Sequence, residues 1–194
     1  MSRKAPSYES HELREFARVL RGRRTIDQYL GTRVPEQLVK EAIELATWAP
    51  NHHVTEPWRF ILPGPETIRR IVDLNANIVA DKKTPAHGEH KRRTWSEKPG
   101  WLIVTCPYNE DALREREDYA ACCAAVQNLV LYLWKAGVGS KWTTGPVTRD
   151  PRLFDIIEAD CDAEFVVSLL WYGYPKITPQ QSRRDVNEVL TKLK

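Results

Sequence analysis

Three separated stretches of this 194-residue chain carry side chains suited to holding an anion and a flat ring. Arg23-Arg24-Thr25 sets two guanidiniums beside a hydroxyl, and such a set neutralises and bidentately binds a terminal phosphate. The same pair also fits a solvated, basic helix end. Trp48 to Phe60 joins a helix end to a strand through a loop dense in polar groups, and loops between rigid elements are where ligand contacts collect. Within it His52 and His53 are donors to a ring or polyol, or simply loop histidines bonded to backbone. Gly137 to Gly145 offers close backbone approach, the flat face of Trp142 and the small donors Thr143 and Thr144. It reads equally as an ordinary helix-to-strand turn with Trp142 packed inside.

Other chemistries find less support. His87-Gly-Glu-His90 spaces two histidines by three but lacks the HExxH order and a completing cluster, so no metal site is expected and a solvated loop fits better. Neither GxGxxG nor GxxxxGK[ST] occurs. Cys106, Cys122, Cys123 and Cys161 form no CxxC pair. Cys122 and Cys123 read as small core residues, and Cys161 between Asp160 and Asp162 is a poor nucleophile. The expected compartment is a reducing cytoplasm. Residues 1–8 lack the apolar core of a secretory signal, and the apolar run 121–134 is too short and too polar to span a membrane.

The elements that must position these residues follow from periodicity. Ser10 caps a helix with Leu13, Phe16, Ala17 and Leu20 on one face, stopping near Gly22. Pro35 opens a second helix that Pro50 ends. Strands are expected over 58–62, 101–106, 138–142 and 164–172, and helices over 66–80, 111–136 and 150–158. Gly137 is the terminator of the long helix. Small side chains crowd every face of that helix from Tyr119 to Val126, so it needs cover all round, from self-association or from the sheet and other helices. Residues 81–98 are basic and unpatterned, either a solvated, mobile lid or a nucleic-acid patch built on Lys82, Lys83, Lys91, Arg92, Arg93 and Trp95. The mixed order of elements predicts an α+β fold, a small sheet covered by helices, in one domain over 9–194 behind a tail at 1–8. The 29 basic against 26 acidic residues leave a net charge of only +3, which demands no polyanionic partner.

Taken together, RRT at 23–25, APNHHVTEPWRF at 49–60, AGVGSKWTTG at 136–145 and YGYP at 172–175 with a late arginine resemble the nitroreductase family of flavoproteins, in its short-chain branch. The resemblance implies a nitroreductase-like sandwich, mainly antiparallel, forming an intertwined homodimer with FMN at the interface. It places Arg23, Arg24 and Thr25 on the phosphate and ribityl chain. Trp48 and His52 fall at cofactor-contacting loop positions, and Trp142, Thr143 and Thr144 along the flavin. Arg183, with Arg184 as its competitor, takes the late phosphate-binding place. Tyr132, Leu133, Trp134, Lys135, Ala136 and Gly137 stand where NADH or NADPH is met. Trp48 replaces a usual arginine, and Glu56 puts a carboxylate where a neutral polar residue is common.

The implied activity is hydride transfer from NAD(P)H through FMN to a small-molecule acceptor such as a nitroaromatic or quinone, by a ping-pong mechanism. No residue is required as proton donor, and Arg24 and Lys141 are the candidate cations beside the reduced flavin. No nucleic-acid or membrane partner is expected. Two rival readings are a flavin-binding or sensing protein without turnover, and a nucleic-acid-binding module.

Overall fold

The computed structural model describes residues 10–193, so the expected tail at 1–8 lies outside the described residues. Among the described residues six α-helices pack about a four-stranded antiparallel sheet of order β1-β2-β4-β3, with β1 Arg59–Ile61, β2 Gly100–Pro107, β3 Gly139–Thr143 and β4 Glu164–Gly173. Side chains alternate across a strand. Leu102, Val104 and Cys106 of β2 and Leu170 of β4 therefore pack toward α2 (Glu36–Ala46) and α5 (Ala112–Lys135). Trp101, Ile103, Leu169 and Trp171 face the opposite layer, made of α3 (Pro65–Lys82), α4 (Pro85–Ser96) and α6 (Pro151–Ile156). With both faces covered, β2 is buried from Gly100 to Cys106.

The ends of α5 show how sequence sets its length. Asp111 caps it by accepting from the amides of Leu113 and Arg114. At its other end Gly137 takes φ +81, the Gly137 amide bonds to Trp134 O, and the Val138 amide to Leu133 O. This is the paired closure that only a left-handed residue makes cheaply. Within the single chain the small-residue run of this helix is buried on one side. Ala121, Cys122, Ala125, Val126, Leu129 and Leu133 are buried, while Leu113 and Tyr119 are exposed. The sheet and α2 cover that side of α5, and Gly22 at the end of the first helix lies against Trp134 near the C-terminus of α5. The second helix ends at Ala46, earlier than Pro50, with turns carrying the chain on to Ala49.

The stretch 81–98 corrects the expectation of an unpatterned lid. Thr84 caps α4 by accepting from the His87 amide, and Pro85 fits its first turn. Gly88 lets α4 lie so close to α3 that an added Cβ would stand 2.6 Å from Ala76 O. Arg92 pairs with Asp73 of α3. Trp95 packs against both Trp101 and Trp171, with ring centroids 5.7 and 5.0 Å away in edge-to-face geometry. His87 and His90 therefore ride on a helix, not a loop. His87 Nδ1 meets Thr84 Oγ1 at 2.8 Å, and His90 Nδ1 lies 3.4 Å from Arg93.

Candidate functional site

The first candidate segment is held as an extra edge on the sheet. α1 (His11–Gly22) ends with the Arg23 amide on Val19 O, after which the chain runs beside β3. The Ile26 amide donates to Ser140 O at 3.0 Å, and Ile26 is fully buried, so it pins the residues around it. Arg23 and Arg24 are half-buried and Thr25 is exposed. Together with Leu20, Arg21, Gln181 and Arg183, the two arginines line a cleft of about 510 Å³. Four guanidiniums thus share one cleft whose lining holds no carboxylate, and among the described residues none of the four is ion-paired. Burial lowers the Arg23 pKa from its ordinary value, and the charges of Arg183 and then Arg24 lower it further. Crowded cations without a counter-charge favour a bound anion. Arg183 lines this cleft and Arg184 does not. Arg24 turns its Nη1 onto the carbonyls of Arg21 and Arg23, at 2.6 and 2.9 Å.

A second cleft, of about 460 Å³, opens at the other end of the same segment. Lys141 pairs with Asp27 at 2.6 Å, and Lys98 donates to the Asp27 carbonyl at 2.7 Å. Both ammonium groups stand over the Trp171 ring, 5.2 Å (Lys98) and 5.6 Å (Lys141) from its centroid. Burial is the main influence lowering the Lys98 pKa. Lys91 of α4 also lines this cleft. Sequence reasoning named Lys141 but missed Lys98, since nothing in the basic stretch 81–98 announced which lysine would lie over an indole.

On β3, Lys141 is opposite Trp171 and Trp142 is opposite Leu170, so the two point to different faces. The β2–β4 register shifts between Val104 and Thr105, leaving Val167 without a partner on β2. The Val167 carbonyl accepts the Trp142 indole N–H at 3.2 Å, and the indole remains 37% exposed. Thr143 is half-buried, and Thr144 lies exposed just beyond the strand.

Trp48 and His52 lie elsewhere. Trp48 is 78% exposed and donates to Glu44 Oε1 at 2.9 Å. His52 Nδ1 meets Glu117 Oε2 of α5 at 2.9 Å and stacks on His53, with centroids 3.8 Å apart. His53, Val54 and Glu56 all have positive φ, at 62°, 51° and 44°. Such conformations cost on the order of 1–3 kcal/mol each in non-glycine residues, and persist only where surroundings over-determine them. Here the surroundings are a hydrogen-bonded chain. The Glu56 amide donates to Asn51 Oδ1 at 2.6 Å, Asn51 Nδ2 donates to Thr55 Oγ1 at 2.9 Å, and Thr55 Oγ1 donates to Asp118 Oδ1 at 2.5 Å. Asp118 is only 3% exposed. Sequence reasoning missed Glu117 and Asp118, because both sit in the charged start of α5 where acidic residues are expected anyway.

The arginine cleft abuts the opposite end of α5, where a Cβ on Gly22 would stand 3.1 Å from Trp134 Nε1. Glu117 and Trp134 are about 25 Å apart along the helix, at ~1.5 Å per residue. One chain therefore does not gather all its candidates around a single ligand. Of the nicotinamide candidates, Tyr132 and Lys135 line an apolar cleft of about 470 Å³ with Phe16, Val19 and Leu45. Leu133 is fully buried in the core, so its side chain offers no surface to a ligand, and the Leu133 carbonyl is taken by Val138. Trp134 is half-buried, Lys135 pairs with Glu15 at 3.4 Å, and Ala136 and Gly137 are exposed at the helix end.

Against known proteins, the Nitroreductase family model matches residues 20–174. YfhC of Bacillus subtilis, whose name makes it a candidate NAD(P)H nitroreductase, is 31% identical over 170 residues, covering 86% of this chain and 87% of that one. The crystal structure of a nitroreductase-like family protein from Bacillus cereus superposes with a TM-score of 0.84 at 27% identity, covering 98% of this chain and 99% of that one. NfnB of Mycobacterium smegmatis, an FMN-dependent nitroreductase in complex with NADPH, shares the fold with a TM-score of 0.77 at 15% identity, covering 94% and 100%. The chain belongs to the nitroreductase family.

Proposed function

We propose that this chain is an FMN-dependent NAD(P)H oxidoreductase, a single FMN-binding domain over residues 9–194 that works as a homodimer and reduces a nitroaromatic, a quinone or a similar acceptor by a ping-pong mechanism. The observation that carries the reading is the cleft of Arg21, Arg23, Arg24 and Arg183, which has cations in excess and no carboxylate in its lining. That donor set fits a phosphomonoester dianion, and charge-assisted bonds from Arg23 and Arg183 would hold it. When bound, FMN supplies a hydride-accepting N5 and passes two electrons to the acceptor.

The chain's own groups do the rest. Both candidate cations already have partners within the chain: Arg24 turns Nη1 onto the carbonyls of Arg21 and Arg23, and Lys141 pairs with Asp27 in the cleft it shares with Lys98. Trp142 offers a partly open flat face beside this edge of the sheet. The loop at 51–56 belongs to the same site only if it comes from a second copy, since it lies at the far end of α5. A two-fold arrangement that sets one α5 against the other's opposite end meets this need. Apolar surface supports it. Leu13, Phe16 and Leu20 of α1 are exposed, as are Ile177, Val189 and Leu190 of the C-terminal arm. No helix among the described residues is long and apolar enough to cross a membrane.

Two measurements test the proposal. Chromatography of the flavin released on denaturation should recover FMN, and recovery of FAD or of no flavin after reconstitution defeats the phosphate reading. Steady-state oxidation of NADH or NADPH with a quinone or nitroaromatic should then give parallel double-reciprocal lines. Binding of FMN without NAD(P)H oxidation would leave a flavin-binding or sensing protein, and intersecting lines would point to separate donor and acceptor sites.

A further inference from the structure

We infer that Asp118 is a positioning residue for the cofactor loop: through Thr55 and Asn51 it holds residues 52–56, with His53, Val54 and Glu56 at positive φ, in the conformation in which they meet the flavin. This rests on the FMN reading above. Asp118 is an almost fully buried carboxylate on the first half of α5, and Thr55 is the group that donates to it. Thr55 Oγ1 in turn accepts from Asn51 Nδ2, and Asn51 Oδ1 accepts the Glu56 amide. The relay thus closes around His53, Val54 and Glu56, the three residues of this loop whose φ is positive. Burial removes competing water from Asp118, which strengthens its bond from Thr55 relative to the loop's other tie to α5, the more exposed contact of His52 with Glu117. Outside this relay the residue types oppose the conformation, because Val54 is β-branched and none of the three residues is glycine.

The relay is one of geometry, with no proton transfer asked of it. Asp118 is too buried to touch a ligand, so its effect passes through Thr55.

The test uses the full chain with Asp118→Leu, Asp118→Asn, Thr55→Val and Thr55→Ser. Asn and Ser keep an acceptor and a donor in place, whereas Leu and Val remove them at similar volume. Thr55→Val at an exposed position keeps the test alive if Asp118→Leu does not fold. Amide hydrogen exchange at residues 52–56, without cofactor, should speed by about tenfold in Thr55→Val and Asp118→Leu, and stay near wild type in the conservative pair. FMN affinity should fall about tenfold in the first pair, the loss expected for one charge-assisted bond. The double variant should lose no more than either single one, because the two residues act through one bond. Unchanged exchange in Thr55→Val overturns the hold on the loop. Faster exchange with unaltered FMN affinity overturns the positioning role. A wild-type protein that binds no FMN overturns the parent reading instead, and the exchange data tell that failure apart.

Discussion

The two ends of α5 present opposite solutions to holding charge. At the Trp134 end, four arginines share a cleft with no acidic residue in its lining. At the Glu117 end, the polar groups are matched, with His52 on Glu117 and Thr55 on Asp118, while the backbone at 53, 54 and 56 is strained. One end has its backbone at rest and its charges uncompensated; the other has its charges satisfied and its backbone constrained. The uncompensated cations call for an anion, while the strain at 53, 54 and 56 is held by Asp118 through Thr55 and Asn51, about 25 Å away along the helix. On the reading proposed above, a second copy of the chain would bring the two ends to one ligand.

The strongest attempt to break this comparison mixes two damaged chains. Arg23→Ala should weaken FMN binding by roughly ten- to a hundredfold, since a hydrogen bond to a charged group contributes about 1.5–3 kcal/mol. A chain with residues 52–56 all replaced by glycine should bind comparably poorly. Refolded together in equal amounts, they should recover tight binding at about a quarter of all sites, because each mixed two-fold dimer then has one intact composite site. Flavin fluorescence titration reads the recovered fraction, and no recovery would place the whole site within one chain.

Removing the cofactor is the next largest effect. At a hundredfold excess over its dissociation constant, FMN should stabilise the native state by about 2.7 kcal/mol. For a chain of this size that corresponds to a melting temperature higher by roughly 5–10 °C than that of the apoprotein. Differential scanning calorimetry measures it, and the melting temperature should also rise with protein concentration if the site needs two copies.

A smaller change sharpens the assignment of the lysine–indole cleft. Lys141→Met should lower turnover by about threefold and leave FMN affinity nearly unaltered, since a half-exposed, ion-paired cation contributes at most about 1 kcal/mol. Stopped-flow flavin reduction checks the split, and a collapse of affinity instead would make Lys141 a phosphate ligand. Least affected should be Arg69→Ala, which breaks only the exposed Glu66–Arg69 pair on α3. Its stability should stay within about 0.5 kcal/mol of wild type, and FMN titration should detect no difference. Lys91 is unsuitable as such a control, because it lines the cleft with Lys98 and Lys141.

How far the residues disclosed all this depended on the range of the signal. The long helix and its stop at Gly137 were legible because capping and periodicity are local, and the strand at 164–173 because it is apolar apart from Glu164 and Ser168. Helix α4 was not, since its contact with the core rests on two residues, Gly88 and Trp95, amid ten that are polar, small or proline. The arginine cleft was readable from Arg23, Arg24 and a late arginine. The choice of Arg183 over Arg184 needed the path of the C-terminal arm. Lys98, Glu117 and Asp118 escaped notice because their importance comes from what lies across from them in space.

The three indoles of Trp95, Trp101 and Trp171 have a consequence of their own. With centroids 5.0 to 5.7 Å apart and planes tilted by 62° to 77°, their electronic transitions couple. The folded chain should therefore show a paired positive and negative exciton band in its far-ultraviolet circular dichroism. Trp95 is the one member that belongs to α4, while the other two lie on adjacent strands of the sheet. Lifting α4 away would leave a single weaker coupling and shrink the bands, with little change in helix content. The cluster is a built-in optical gauge of the seam between that helix and the sheet, readable in solution without any added label.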